Sequence, residues 1–160
     1  MSIDQQKNLQ NLKNELSPEY FFDQVNLEIE PKIIAENWNY SQEYDVVKHM
    51  EALLRNLPYS LIREQDSNKI VAFELVFQTG MQFHQFCFPE YRRQGFGKAI
   101  ELDQAQKCIK FGLVPYKVVG FHNKHVMASA NRSPFWTRWE IDGKPVVLRY
   151  IFHSVGKDNI

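Results

Sequence analysis

The chain has 160 residues, 44% of them apolar, and a formal net charge of zero. That length holds one domain with a sizeable core and little room for a second, and the apolar fraction excludes a disordered chain. A general nucleic-acid binder would carry a basic excess that is missing here, and no apolar run reaches the about 18 residues of a membrane-spanning helix.

Asp4 to Leu16 is polar, with Leu9, Leu12 and Leu16 three and four apart, which predicts a helix with a narrow apolar stripe. Ser17-Pro18 ends it. Tyr20 to Glu28 alternates loosely and reads as a first strand, closing a lead-in of residues 1–30. Pro31 suits the first turn of a helix running to about Trp38. Tyr44 to Leu54 reads as a second helix with Val46, Val47, Met50, Leu53 and Leu54 on one side, stopped by Pro58. Tyr59 to Arg63 and Ile70 to Phe77 flank the turn Asp66-Ser67-Asn68. Gln78-Thr79-Gly80 makes the next turn and Met81 to Phe88 the next strand.

A long helix covers Ala99 to Phe111, with Gly112 as its cap. Tyr116 to Phe121 reads as a buried strand and Asn123 to Ala130 as a short helix. Trp136 to Ile141 and Val146 to Phe152 pair around Asp142-Gly143, a strong hairpin signal. Residues 31–153 thus form the domain, and 154–160 a frayed tail. Cys87 and Cys108 show no CxxC or metal spacing, which predicts buried thiols in a reducing compartment. His49, His125 and His153 are scattered, so no metal is expected. Asp4 and Glu15 near the N-terminus, without an Arg-rich amphipathic pattern, do not suit a secretory or transit peptide, and a cytoplasmic protein is expected.

The most informative stretch is Pro89-Glu90-Tyr91-Arg92-Arg93-Gln94-Gly95-Phe96-Gly97-Lys98. It lies between the β-rich run Gln82 to Phe88 and the long helix. A strand, a glycine-punctuated basic turn and a helix start make an anion site. Gly95 and Gly97 permit a tight turn, and the freed N–H groups converge with the helix N-terminus on one spot. Arg92, Arg93 and Lys98 add positive charge, and a pyrophosphate suits such a cradle. Only one of the two arginines needs to face the ligand, and the sequence leaves open which.

Arg92, Gly95 and Gly97 resemble the (Q/R)xxGx(G/A) acetyl-CoA motif of the GNAT N-acyltransferases. Five segments resemble more narrowly the C-terminal half of the glycine N-acyltransferases: Phe77-Gln78-Thr79-Gly80, Pro89-Glu90-Tyr91-Arg92, Ala105-Gln106-Lys107, Pro115-Tyr116 and His122-Asn123. The closing Trp136-Thr137-Arg138-Trp139 is also similar. The likeness covers about Pro31 to Trp139. Residues 1–30 are too short to replace that family's large N-terminal half.

The resemblance implies an α/β (α+β) GNAT fold: a mixed, mostly antiparallel sheet, splayed at the CoA site and flanked by helices. It implies acyl transfer from an acyl-CoA co-substrate to the amine of glycine or another small amine, without metal, nucleic acid or membrane. It adds a mitochondrial compartment as an alternative to the cytoplasm. The strands would part after Cys87, with the pantetheine along Phe86, Cys87 and Phe88 and the thioester carbonyl polarised by a strand N–H. The pyrophosphate would sit on Gln94, Gly95, Phe96, Gly97 and Lys98, with Arg92 or Arg93, and Asn123 would touch the cofactor.

A protonated amine is not a nucleophile, so a base is needed. The family's usual acid position falls on Met81, which cannot take a proton. Regular alternation puts Met81, Phe83, Gln85 and Cys87 on one face and turns His84 away. His122, beside Asn123, is the candidate base, and Glu74 on the neighbouring strand is the other, through a water. Cys87 reads as an inert thiol. Phe135, Trp136 and Trp139 read as hairpin core, with Phe135 nearest the ligand. An acyl-CoA-binding domain with little catalysis is the alternative reading.

Overall fold

The computed structural model describes residues 1–38 and 45–147. Eight of the elements place the site: α1 Ile3–Gln10, β1 Tyr20–Phe22, α2 Glu30–Glu36, α3 Val46–Asn56, β2 Ser60–Glu64, β3 Ile70–Val76, β4 Met81–Cys87 and α4 Phe96–Lys110. Beyond them come β5 Tyr116–Lys117, α5 Lys124–Arg132, β6 Glu140–Ile141 and β7 Lys144–Pro145. The sheet order is β1-β2-β3-β4-β5, antiparallel except for the parallel β4–β5 pair, and β6–β7 form a separate two-stranded hairpin. This is the expected mixed, mostly antiparallel sheet flanked by helices.

The helices cover both faces of the sheet, as alternation along the strands requires. Leu61, Phe73 and Leu75 pack against Ile34 of α2 and Met50, Leu53 and Leu54 of α3. Ile62 and Ala72 face Phe96 and Ile100 of α4. Phe73 is fully buried and stacks on Phe86 at 5.6 Å, so it contributes about 1.5–3 kcal/mol by burial alone. Outside α4 lies α1, whose Leu9 packs on Leu102 and Ala105. Ser2 and Gln5 cap α1 reciprocally, Ser2 Oγ accepting from the Gln5 N–H at 3.2 Å and Gln5 Oε1 from the Ser2 N–H at 2.7 Å.

Several expectations are corrected. The first helix stops at Gln10, and Leu12 is exposed. The predicted strand Tyr20 to Glu28 pairs only over Tyr20–Phe22. A buried ion pair draws the chain away beyond that point: Arg63 reaches Asp23 Oδ2 at 2.6 Å, Glu30 Oε1 at 2.8 Å and the Gln24 carbonyl at 3.0 Å. Val47 of α3 is exposed rather than on the core side, and Tyr44 lies outside the described residues.

The strand read as buried over Tyr116 to Phe121 is two residues long, with Tyr116 40% and Phe121 75% exposed. It is an edge strand with no further strand beside it among the described residues, so its side chains lack a second covering layer. The closing hairpin turns at Asp142-Gly143 as expected, yet pairs only Glu140↔Pro145 and Ile141↔Lys144 and is exposed throughout. The rest of its second strand, residues 148–152, lies outside the described residues, as do His153 and the tail. No described helix is long and apolar enough to cross a membrane.

Candidate active site

Two backbone irregularities build the site. The first is in β4. Val76 pairs with Gln82 and Leu75 with Phe83, but Phe73 then pairs with Phe86, so β4 carries one extra residue opposite Glu74. His84, with φ of 52°, is where the strand bulges. The expected single face of Met81, Phe83, Gln85 and Cys87 is therefore broken. Phe83 and Phe86 share the α2–α3 face, while Gln85 faces α4, its Nε2 donating to Glu74 Oε2 at 3.3 Å and to the Gly97 carbonyl at 3.0 Å. His84 Nε2 lies 2.7 Å from the Ile34 carbonyl, and burial holds the imidazole below its ordinary pKa.

The second irregularity is the turn into α4. Phe88 donates its N–H to the Val71 carbonyl at 3.0 Å, and Pro89–Tyr91 form one 3₁₀ turn. Tyr91 anchors that turn, its hydroxyl donating to Glu64 Oε2 at 3.0 Å. Arg93 (φ 64°) and Gly95 (φ 91°) are left-handed, and α4 starts at Phe96, three residues before the predicted Ala99. The reason is that Gly95 itself is the cap: its carbonyl accepts from Lys98 N–H at 3.0 Å and Ala99 N–H at 3.1 Å. The backbone N–H groups of Arg93, Gln94, Gly95, Phe96 and Gly97 find no acceptor among the described residues. A Cβ built on Gly95 would meet nothing within 4 Å, and one on Gly97 only Gln85 Oε1 at 3.9 Å. Five successive free donors at a helix N-terminus form a concavity for an anion.

The two arginines separate. Arg92 folds back, its Nε donating to the Cys87 carbonyl at 3.0 Å and its guanidinium lying 5.8 Å from the Phe86 ring centre. Arg93 and Lys98 are exposed and have no side-chain partner among the described residues. No acidic residue occupies the first turn of α4. A cleft of about 420 Å³ adjoins the loop, running between Leu12–Ser17 and the start of α4 with Phe135 on its wall.

Among the described residues, the edge of β4 is open beyond Gln82. Pairing with β5 covers Met81↔Tyr116 and Gln82↔Lys117 and then ceases. The strands thus part after Gln82, five residues before the expected Cys87, because the Gly112 cap and Pro115 deliver a β5 of only two residues. Since Phe88 N–H points to β3, strand alternation turns the Cys87 amide to the open edge. Cys87 is half-buried rather than buried, and desolvation raises its thiol pKa, which suits an unreactive thiol.

The other candidates fall at the rim. His122 is exposed in the loop before α5, its ring lying over Gly120. Asn123 caps α5, its Oδ1 accepting from Val126 N–H at 3.2 Å. Phe135 packs on Leu9, Leu102 and Ala105, whereas Trp139 is 65% exposed and is not core. Trp136 donates its indole N–H to Glu101 Oε1 at 2.7 Å, and the same carboxylate pairs with Lys117. This Glu101–Lys117–Trp136 group was not anticipated. Its only sequence signal is a lysine, Lys117, in an otherwise apolar stretch.

No family model matches the chain, and no curated protein does. Solved structures do. A Drosophila protein superposes with a TM-score of 0.70 at 15% identity over 79% of this chain, which spans 43% of that protein's chain. AAC(6')-Iy, in complex with the bisubstrate analogue CoA-S-monomethyl-acetylneamine, matches at 0.58 and 12% identity over 85% of this chain and 97% of its own. Glucosamine-6-phosphate N-acetyltransferase from Arabidopsis thaliana matches at 0.53 and 15% identity over 84% and 99%. The chain has the fold of the GNAT acetyltransferases.

Proposed function

We propose that this protein is an N-acyltransferase that moves an acyl group from an acyl-CoA to the amine of glycine or another small amine. The observation that carries the reading is the row of five unbonded N–H groups from Arg93 to Gly97 at the end of a strand whose edge is open. The adjoining segments that resemble the glycine N-acyltransferases support the acceptor class.

In this reading the Arg93–Gly97 amides hold the pyrophosphate, and Arg93 and Lys98 supply charge. Arg92 braces the end of β4 through the Cys87 carbonyl rather than reaching outward. The edge from Phe86 to Phe88 receives the pantetheine amides, and the Cys87 N–H polarises the thioester carbonyl. A preorganised donor of that kind contributes about 2.7–4 kcal/mol to the transition state. Asn123, which caps α5, touches the cofactor in this reading.

A second reading, acyl-CoA binding with little turnover, is favoured by Met81, which stands at the family's acid position. Two measurements separate them. A thermal-shift panel of CoA and acyl-CoAs tests binding, and no shift with any of them sinks both readings. A thiol-release assay across glycine, other amino acids and small amines tests turnover. A shift without thiol release leaves only the binding reading.

A further inference from the structure

Glu74 stands alone in the apolar run Val71 to Val76, 3% exposed, on the α4 face of the sheet. Ser60 of β2 is its cross-strand partner, and Ser60 Oγ donates to Asp103 Oδ2 on α4 at 2.5 Å. Gln85 of β4 donates to Glu74 directly. Glu101 and Cys108 of α4 and Lys117 of β5 are its other ionisable neighbours. Lys117 pairs with Glu101, and among the described residues Glu74 has no ion-pair partner. Burial first, then the Glu101 charge, push its carboxyl up to about 8.

Gln82 is also 3% exposed, and neither its Nε2 nor its Oε1 has a hydrogen-bond partner among the described residues. The same is true of Gln104 Oε1. A buried polar group left bare is destabilising, and a bound water relieves it. Gln82 belongs to the last pair that joins β4 to β5, the residue at which the gap opens. Gln82 pairs with Val76, two residues along β3 from Glu74, so the two are diagonal neighbours on one face, about 7–8 Å apart, a span that their side chains and a water bridge.

We propose that Glu74 is the group that takes the proton from the substrate amine, through water held between Gln82 and Gln85 at the closed end of the gap. This rests on the acyltransfer reading and supplies the base that Met81 does not. The bulge at His84 is what makes it possible, because in a regular strand Gln82 and Gln85, three residues apart, would face opposite sides. One proton leaves the ammonium nitrogen for the water, and a proton of that water goes to the Glu74 carboxylate. The freed lone pair attacks the thioester carbonyl carbon. The C–S bond breaks as the second proton passes from nitrogen to the departing thiolate, and Glu74 then returns its proton to solvent. His122, exposed and folded over Gly120, and His84, turned to Ile34, are not needed.

The test compares Glu74→Gln and Gln82→Leu with the wild type in thiol release from pH 6 to 9.5, with the CoA thermal shift measured beside it. The wild-type rate should rise with pH and bend near 8. Glu74→Gln should keep the CoA shift, lose the bend, and fall roughly 10²–10⁴-fold in kcat. Gln82→Leu, which removes the water's anchor and two bare polar atoms, should melt no lower than wild type and still lose at least about tenfold in kcat. Glu74→Gln with wild-type kcat and bend, or Gln82→Leu with wild-type kcat, overturns the proposal while the acyltransfer reading stands. A wild type that binds CoA and releases no thiol with any amine overturns both.

Discussion

Replacing Gly95 and Gly112 separately by valine places a β-branched residue at the two ends of α4 in the same backbone state. Gly95 has φ of 91° and Gly112 of 90°, and a Cβ at either meets nothing within 4 Å. The cost to the free protein is thus backbone strain alone, about 1–3 kcal/mol in each. For a chain of this size that lowers Tm by roughly 2–12 °C. CoA at 100 times its Kd adds roughly 2.7 kcal/mol to the wild type, or roughly 5–11 °C. At Gly95 the new side chain occupies the space that the free amides enclose. A 100-fold weaker Kd leaves roughly 0.4 kcal/mol at the same concentration, a shift under about 2 °C. At Gly112 the ligand shift should be untouched. Differential scanning fluorimetry with and without CoA reads both quantities in one plate. Retention of the full shift by Gly95→Val, or its equal loss in both variants, would falsify the assignment of the loop as the anion site.

Three further outcomes follow from buried and half-buried ionisable groups. The Glu74 carboxyl binds its proton more tightly folded, with a pKa of about 8, than unfolded, at 4.5, so stability should fall as pH rises through that window. The full effect is on the order of 5 kcal/mol, and Glu74→Gln should flatten that part of a urea-midpoint-against-pH curve; an unchanged slope would contradict the burial of Glu74. Glu30→Ala leaves Arg63 buried with Asp23 as its remaining carboxylate partner and should cost about 3 kcal/mol in chemical denaturation, whereas a loss under about 1 kcal/mol would mean that the pair holds nothing together. Because desolvation raises the Cys87 thiol pKa, iodoacetamide at pH 7 should label it slowly and Cys87→Ala should keep thiol-release activity. Rapid labelling together with loss of activity would point instead to a covalent acyl-enzyme.

The turn into α4 was legible because its instructions are local. Gly95 is needed wherever a chain turns left-handed into a helix, and the five unbonded amides follow from that turn without help from distant residues. The same holds for the turns at Asn68 and Gly80 and for the α4 cap. There Gly112 donates to the Ile109 carbonyl and Leu113 to that of Cys108. Strand existence was legible from apolar runs. Strand length was not, since Arg63 pulls the chain off the sheet after Phe22 through partners up to 40 positions away.

What the sequence determined by itself is thus the order of elements, the sheet-and-helix class and the glycine turn that opens α4, all set by short-range geometry and hydrophobic period. The tertiary structure alone decided which side chains face the gap. One extra residue in β4, seen only against its partner β3, puts Gln82 and Gln85 on the face of Glu74 and turns His84 away from it. Burial under α4 then changes the chemistry of Glu74, and burial is a property of what packs around a residue. No pattern along the chain encodes either, because register and desolvation exist only once the strands and helices have met.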